Sequence, residues 1–225
     1  PVIMTNTMKI VVNIVDELLK ISNEDWNSYE FSWEFKKHPL LKYNTTLLEN
    51  SFEKWDIETS TRFFKLKESE EKLNSLLIEL YELDDELTAK VDENEIKLIR
   101  ANKETDSRTF LSYFIGCVLG RFSLDVEGIA FAGGEFNASK YKSFKPNPDG
   151  LILLTEEHYF ENDIIVRLRE FLSVAFSPDT VDENIHWLAE SLEMKKNESP
   201  EERLRRYFIE EFFKDHCQTY QKRPI

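Results

Sequence analysis

The spacing of apolar residues along this chain predicts a mainly helical protein. Between residues 110 and 122, apolar side chains recur at steps of three and four, which is the period of one face of an α-helix. They are Phe110, Leu111, Phe114, Ile115, Val118, Leu119 and Phe122. The same period predicts a first amphipathic helix around residues 10–19 and further helices around 164–175, 181–192 and 200–213.

A long helical stretch is predicted from about Thr46 onward. Its clearest heptad-like part consists of Leu73, Leu76, Leu77 and Leu80. Because the heptad is not sustained, the pattern favours a helical hairpin arm over a long coiled coil. Residues 83–94 are acidic and indicate a loop or an extended connection.

Two short apolar runs, residues 129–131 and 151–154, read as strands. The expected fold is therefore mainly α, an irregular multi-helix assembly with a long helical arm and one short two-stranded β-hairpin. We expect two parts, residues 1–104 with the arm and residues 105–225 with the hairpin, or else one continuous domain. Ser199 and Glu202 form a predicted capping box, with Pro200 at the first helical position.

Gly116 and Gly120 are the two candidate structural residues of the helix predicted at 110–122. Glycine within a helix costs about 1 kcal/mol relative to alanine, so two at this spacing indicate that another part of the backbone packs closely there. The spacing also occurs in membrane dimers, but this run is too short and is broken by Ser112 and Arg121. We therefore expect packing within a core and no membrane partner.

Composition supports a folded protein that is a poor autonomous binder of nucleic acid. Of the 225 residues, 41% are hydrophobic, enough to build a sizeable core. The formal net charge is −14, whereas binding to phosphates depends on positive charge. Residues 49–104 carry 16 acidic against 9 basic side chains, which indicates either a solvated helix face or an acidic surface for a basic partner.

No catalytic or metal-binding constellation is evident. Two cysteines, Cys117 and Cys217, are too few for a disulfide framework or a zinc site. The four histidines lack metal-ligand spacing, and we expect each to be hydrogen-bonded internally or to lie at the surface: His38, His158, His186 and His216. Without a signal peptide pattern, a cytoplasmic, reducing environment is expected.

The best nucleic-acid candidate is a short basic run, Lys140, Lys142 and Lys145, interleaved with Tyr141 and Phe144. Lysines can contact phosphates, and aromatic rings can stack on bases. The alternative is a solvated loop whose aromatic side chains pack inward.

Several segments together resemble the adenine-specific DNA methyltransferases of BREX phage-defence systems, which are related to fused type II restriction–modification enzymes. The segments are Asn23-Glu24-Asp25-Trp26 through His38-Pro39-Leu40-Leu41, residues 112–125 with Gly128-Ile129, residues 141–146 and 158–165, and Lys214-Asp215-His216-Cys217 with Lys222-Arg223-Pro224-Ile225. They span most of the chain in family order. The resemblance implies a mainly helical region between the methylase core and target recognition in a prokaryotic enzyme, with a pattern that continues past Ile225.

Three further motifs mimic active sites without matching them. The family acts through an Asn-Pro-Pro-Tyr-type motif, whereas residues 147–150 read Asn-Pro-Asp-Gly and predict a turn. Residues 132–134, Ala-Gly-Gly, lack the strand, helix and acidic residue of a cofactor loop. Asp179 and Glu193 resemble a nuclease motif, but the residues between them have helical spacing.

These observations lead to one main hypothesis and one alternative. The chain would be a non-catalytic connector in such a methyltransferase, without a cofactor of its own, while the parent enzyme binds S-adenosylmethionine. Its partners would be the remaining domains of the parent and, through them, double-stranded DNA. Alternatively, the acidic helical arm would serve an independent protein–protein interaction scaffold; an independent enzyme has no residues to support it.

Overall fold

A computed structural model describes residues 6–160 and 162–220 of the chain and confirms the predicted mainly helical character. The α-helices are α1 (Asn6–Trp26), α2 (Leu48–Leu80), α3 (Lys103–Val118), α4 (Ile164–Ala175), α5 (Val181–Ser191), α6 (Pro200–Arg206) and α7 (Phe212–Thr219). Glu161 and residues 222–225, which contribute to the family resemblance, lie outside the described residues. None of the helices in the described ranges is both long enough and apolar enough to span a bilayer.

The chain forms two compact units that are not consecutive in sequence. The first contains the chain up to Asn27 together with Asp56–Ala101, and the second contains Ser28–Trp55 together with the chain from Asn102 onward. The prediction had placed residues 28–55 with the N-terminal part. Helix α2 contributes its first residues to the second unit and the rest to the first.

The first unit packs α1 against the part of α2 from Asp56 onward, and the segment after α2 returns along this helix pair. Its core consists of Ile21, Phe63, Leu66 and Ile96, with Leu18, Val91 and Leu98 packed against it. The acidic stretch after α2 contains only a short 3₁₀ turn, Glu93–Glu95. The Val91 N–H donates to Glu71 (3.2 Å), and the Ala101 N–H donates to the Thr59 hydroxyl (3.1 Å). The return of the chain along α2 is thus fixed by side chains of that helix.

The second unit is built around α3, which contacts α4, α5 and α7. Phe110, Phe114 and Phe171 are fully buried, and the ring of Phe171 lies 5.8 Å from that of Phe110 and 5.3 Å from that of Phe114. Asn184 of α5 accepts a 2.7 Å hydrogen bond from the Leu48 N–H, which attaches the start of α2 to this unit.

The C-terminal helical region begins as the sequence predicts and then departs from a regular helix. The capping box of Ser199 and Glu202 is confirmed, with Pro200 in the first turn. A π-helical turn, Tyr207–Glu211, separates α6 from α7. Both Tyr207 and Phe208 are buried at this turn, so the wider turn places two consecutive aromatic side chains in the core.

The predicted β-hairpin does not form in the described part of the chain. The backbone of residues 129–131 is not a strand, because the N–H groups of Ala130 and Phe131 both donate to the Arg121 carbonyl. The second run makes only an isolated parallel bridge between Leu153 and Asp163. Both apolar runs therefore satisfy their backbone locally instead of pairing with each other, and residues 119–160 form a long irregular segment apart from the 3₁₀ turn Ala138–Lys140.

Candidate nucleic-acid interface

The candidate interface begins where α3 ends. The helix is capped at its start by Asn102, whose side chain accepts from the Thr105 N–H. Its last residue is Val118, and Gly120 follows outside the helix with a left-handed φ of +82°. The sequence had predicted Gly120 within the helix; its position after the helix end lets the chain turn at low steric cost.

Gly116 lies where the chain folds back over the end of α3. A Cβ at this position would lie 2.5 Å from Cδ2 of Phe122, and the Phe122 N–H donates to the Gly116 carbonyl (3.2 Å). The close neighbour is therefore an aromatic side chain four residues past the helix end rather than the backbone of another helix.

Asp125 holds the basic run in a defined loop. Its carboxylate accepts hydrogen bonds from the N–H groups of Lys142 (2.7 Å) and Ser143 (2.9 Å) and from the Ser143 hydroxyl. Burial opposes ionisation of this carboxyl group, but the hydrogen bonds from Ser143 and Lys142 outweigh it, so its pKa lies below the usual value. The loop is thus shaped by one side chain 17 residues earlier.

The two aromatic side chains of the loop point into the protein. Tyr141 and Phe144 are buried, and the Tyr141 hydroxyl donates to the Gly120 carbonyl. The Arg167 guanidinium lies 4.4 Å from the centre of the Phe144 ring, which also packs edge-on against Phe171. These rings are therefore occupied within the fold, which is the inward-packed arrangement that we had considered as the alternative.

The three lysines differ in their surroundings. Lys140 is half-buried, and its Nζ donates to the Ala130 carbonyl (2.7 Å). Lys142 and Lys145 have exposed side chains. Lys142 and Lys145 therefore lie at the surface, on a loop whose backbone is held by Asp125, whereas the Lys140 ammonium group is hydrogen-bonded within the protein.

A buried ion pair, which the sequence does not predict, lies at the C-terminal end of the irregular segment, where α4 begins. Asp163 is fully buried and caps α4 by accepting from the Ile165 N–H (2.9 Å). Arg205 of α6 binds both oxygens of Asp163, at 2.6 and 2.8 Å, and the Thr155 carbonyl at 2.8 Å. The only sequence signal is an acidic residue at a predicted helix start and an arginine among the apolar positions of α6.

A half-buried carboxyl group, Glu30, was also missed. It accepts a 3.0 Å hydrogen bond from the Ser112 hydroxyl of α3. Loss of solvent around the carboxyl group raises the pKa of Glu30, against the opposing effect of the hydrogen bond from Ser112. This group ties the aromatic-rich segment around residue 30 to α3.

His38 is hydrogen-bonded within the protein, which is one of the two states predicted for the histidines. Its Nδ1 accepts from the Leu40 N–H (3.3 Å), so the neutral ring carries its proton on Nε2, 3.0 Å from the Thr109 hydroxyl. Burial lowers the pKa of His38 to about 3. His158 and His186 are exposed, and His186 lies 3.1 Å from Glu190. In the described ranges, no group of three or more metal-ligating side chains could hold an ion.

The active-site mimics have ordinary structural roles. Residues 147–150 form a turn in which the Gly150 N–H donates to the Asn147 carbonyl (3.1 Å). Gly133 and Gly134 both have positive φ and lie in an irregular loop. Asp179 and Glu193 lie at opposite ends of α5, as its helical spacing predicted.

Comparison with known proteins finds relatives along the whole chain, although no family model matches it. Over 223 residues the chain is 44% identical to the adenine-specific methyltransferase PglX of Lacticaseibacillus casei (strain Zhang), covering 96% of the chain and 18% of that protein. It is also 31% identical to the adenine-specific methyltransferase BrxX of Escherichia coli O9:H4 (strain HS), over 252 residues. The chain is homologous to one part of these methyltransferases.

The chain spans about a fifth of the length of PglX and BrxX, 18% and 21% respectively. The identities to PglX and BrxX confirm the resemblance to BREX adenine-specific methyltransferases that the sequence predicts. The similarity to PglX covers nearly the whole chain, including most of both compact units.

Proposed function

We propose that this chain is a non-catalytic connector within an adenine-specific DNA methyltransferase that acts in phage defence. The observation that carries the proposal is the 44% identity to PglX over almost the whole chain but only 18% of the relative. S-adenosylmethionine and the catalytic residues would belong to other parts of the same enzyme. This chain would set the distance and orientation between the methylase core and the target-recognition region.

The internal anchors support a role that depends on fixed geometry. Arg205 and Asp163 fix α6 to the start of α4, and Asn184 fixes the start of α2 to α5. Such buried polar contacts are costly to break and restrict alternative packings of the helices. A connector that positions two functional regions needs this kind of rigidity.

We further propose that Lys142 and Lys145 contact the DNA backbone without reading bases. Their side chains are exposed, and their loop is held by Asp125. Since Tyr141 and Phe144 are buried, the loop lacks free rings for stacking on bases. Contacts of this type position a protein on DNA but carry no sequence information directly.

A segment exchange tests the connector role. In the Lacticaseibacillus casei PglX, the matching segment is replaced by this chain, and modified adenines are mapped by sequencing native DNA. We expect the hybrid enzyme to methylate the same site as unmodified PglX, because a connector positions the reading elements but does not contain them. Methylation at the site read by the donor enzyme, or a folded hybrid that binds S-adenosylmethionine but methylates nothing, would contradict the proposal.

A further inference from the structure

The loop that carries Lys142 and Lys145, named here the lysine loop, is held at its two ends by different residues. At its start, the Asp125 carboxylate accepts from the Lys142 N–H (2.7 Å). At its end, the guanidinium group of Arg167 donates through Nη2 to the Lys145 carbonyl. The same guanidinium group lies 4.4 Å from the centre of the Phe144 ring. Arg167 therefore contacts two consecutive residues at the end of the loop that Asp125 does not hold.

The position of Arg167 is itself fixed by the start of α4. The Arg167 N–H donates to the Asp163 carbonyl (3.0 Å), and Arg205 binds both carboxylate oxygens of Asp163. One turn further along α4, Phe171 packs edge-on against Phe144 with the ring centres 5.3 Å apart. The lysine loop is thus attached to a helix start that the buried ion pair keeps in place.

The donors and the charge of Arg167 are engaged within the protein. Its Nη1 donates to Glu170 in an ion pair, and its side chain is only 12% exposed. Its Nη2 is bonded to the Lys145 carbonyl. A planar guanidinium group can stack on a ring and donate in its own plane at the same time, which an ammonium group cannot do. We therefore expect Arg167 to affect DNA binding through the loop that it holds.

An ordered loop binds more tightly than a loop that must become ordered in the complex. Each group that is immobilised only on binding weakens affinity by roughly two- to tenfold. The side chains of Lys142 and Lys145 are exposed, so packing does not order them before binding. The backbone of the lysine loop is the part of the contact that the protein orders in advance.

We propose that Arg167 and Asp125 are positioning residues for DNA binding, which order the lysine loop before DNA arrives. This inference rests on the proposed contact of Lys142 and Lys145 with the DNA backbone. For Asp125 the two possible effects have opposite signs. Its negative charge opposes the binding of phosphates, whereas its hydrogen bonds to the lysine loop favour binding.

The first test measures the affinity of the full-length methyltransferase for a duplex that contains its methylation site. Arg167→Lys keeps the positive charge but loses the planar group that contacts Phe144 and Lys145. We expect binding to weaken by about two- to tenfold. In a background in which Lys142 and Lys145 are both alanine, Arg167→Lys should have no effect. Arg169→Lys, on the same helix with its ion pairs at the surface, is the matched control and should leave affinity unchanged.

The second test uses the opposite signs expected for Asp125. Asp125→Asn removes a negative charge and leaves one accepting oxygen where the carboxylate has two. We expect binding to weaken by about two- to tenfold, although the enzyme has become less negative. Glu135→Gln removes the same charge from an exposed residue of the same irregular segment. This control should leave affinity unchanged or slightly higher.

Three results would overturn the proposal. Unchanged affinity of Arg167→Lys would show that the lysine loop does not depend on it. Equal losses with and without the two lysines would show a general loss of folded protein, because such a loss weakens binding in both backgrounds alike. Tighter binding by Asp125→Asn would show that Asp125 acts only through its charge.

The lysine variants separate this inference from the proposed DNA contact. If replacing both lysines changes neither the affinity nor its salt dependence, the DNA contact is wrong and the positioning roles fail with it. If the lysines matter but Arg167→Lys and Asp125→Asn do not weaken binding, only the positioning roles are wrong.

Discussion

Arg205 and Asp163 form a bidentate ion pair in the interior of the second unit, with N–O distances of 2.6 and 2.8 Å. Asp163 is fully buried and Arg205 is 8% exposed. The pair joins the start of α4 to α6 across 42 residues of sequence and also holds the Thr155 carbonyl. The irregular segment between α3 and α4 thus ends at a fixed point.

Arg205→Leu should strongly destabilise the protein, because it leaves the Asp163 carboxylate buried without its partner. Removing one member of a buried pair costs about 3–5 kcal/mol. Arg169→Leu is the control, since Arg169 pairs with Asp182 and Glu201 at the surface and such pairs contribute about 0–1 kcal/mol. Chemical denaturation of both variants measures the difference. If both variants lost the same free energy of unfolding, the buried pair would contribute no more to stability than the surface pairs of Arg169.

Gly116→Leu should destabilise the end of α3, because its side chain would occupy the position of the Phe122 ring. Overpacking of a tight core costs about 1–3 kcal/mol. The same substitution in a Phe122→Ala background should cost less, since the smaller side chain leaves room for the leucine. Thermal melts of the single and double variants form a double-mutant cycle. Additive effects would show that the two residues do not compete for space.

His38 should make the protein less stable as the pH falls below neutral. Its folded pKa is lowered to about 3 by burial, so the unfolded chain binds a proton near pH 6.5 while the folded protein does not. The contribution of the neutral His38 ring to the free energy of unfolding is fully present above about pH 6.5, and it is lost as the pH falls toward 3. One pH unit below 6.5 the loss is about 1.4 kcal/mol.

The measurement is the free energy of unfolding at pH 7.5 and pH 5.5 for the wild-type protein and for His38→Gln. The difference between the two pH values should be smaller in the variant, because glutamine does not titrate. Other groups titrate alike in both proteins and cancel in the comparison. The same difference in both would assign the pH dependence to other groups.

Lys142 and Lys145 should contribute to the salt dependence of DNA binding by the full-length enzyme. Replacing either by alanine should reduce the slope of log affinity against log salt by about 0.9 for each phosphate contact that is lost. Lys140→Ala should change the slope less, since its Nζ is bonded to the Ala130 carbonyl. Lys196→Ala, at another exposed site, is the charge-matched control. Unchanged slopes for the Lys142 and Lys145 variants would mean that neither lysine contacts a DNA phosphate.

The 225-residue chain alone should neither bind S-adenosylmethionine nor methylate DNA. It lacks an Asn-Pro-Pro-Tyr-type motif, and its Ala-Gly-Gly sequence at residues 132–134 lies in an irregular loop. Calorimetric titration with the cofactor is expected to give no heat of binding. A micromolar dissociation constant, which corresponds to about −8 kcal/mol, would refute this expectation.

The sequence by itself determined the helical character, the family resemblance and several local features. The three- and four-residue period of α3 and the capping box at Ser199 depend on residues close together in sequence, so their patterns can be read directly. His38 is buried and hydrogen-bonded, which is one of the two states expected for each histidine.

The tertiary structure alone decided which polar groups meet. Asp163 pairs with Arg205, and Asp125 accepts hydrogen bonds from Lys142 and Ser143. These partners are 17 to 42 residues apart in sequence, and no local period predicts that they meet. The failure of the predicted hairpin has the same cause, because the carbonyl of Arg121 takes the N–H groups that strand pairing would have used. Local period specifies which face of an element is apolar, whereas burial and hydrogen-bond satisfaction depend on what the rest of the chain brings to that face.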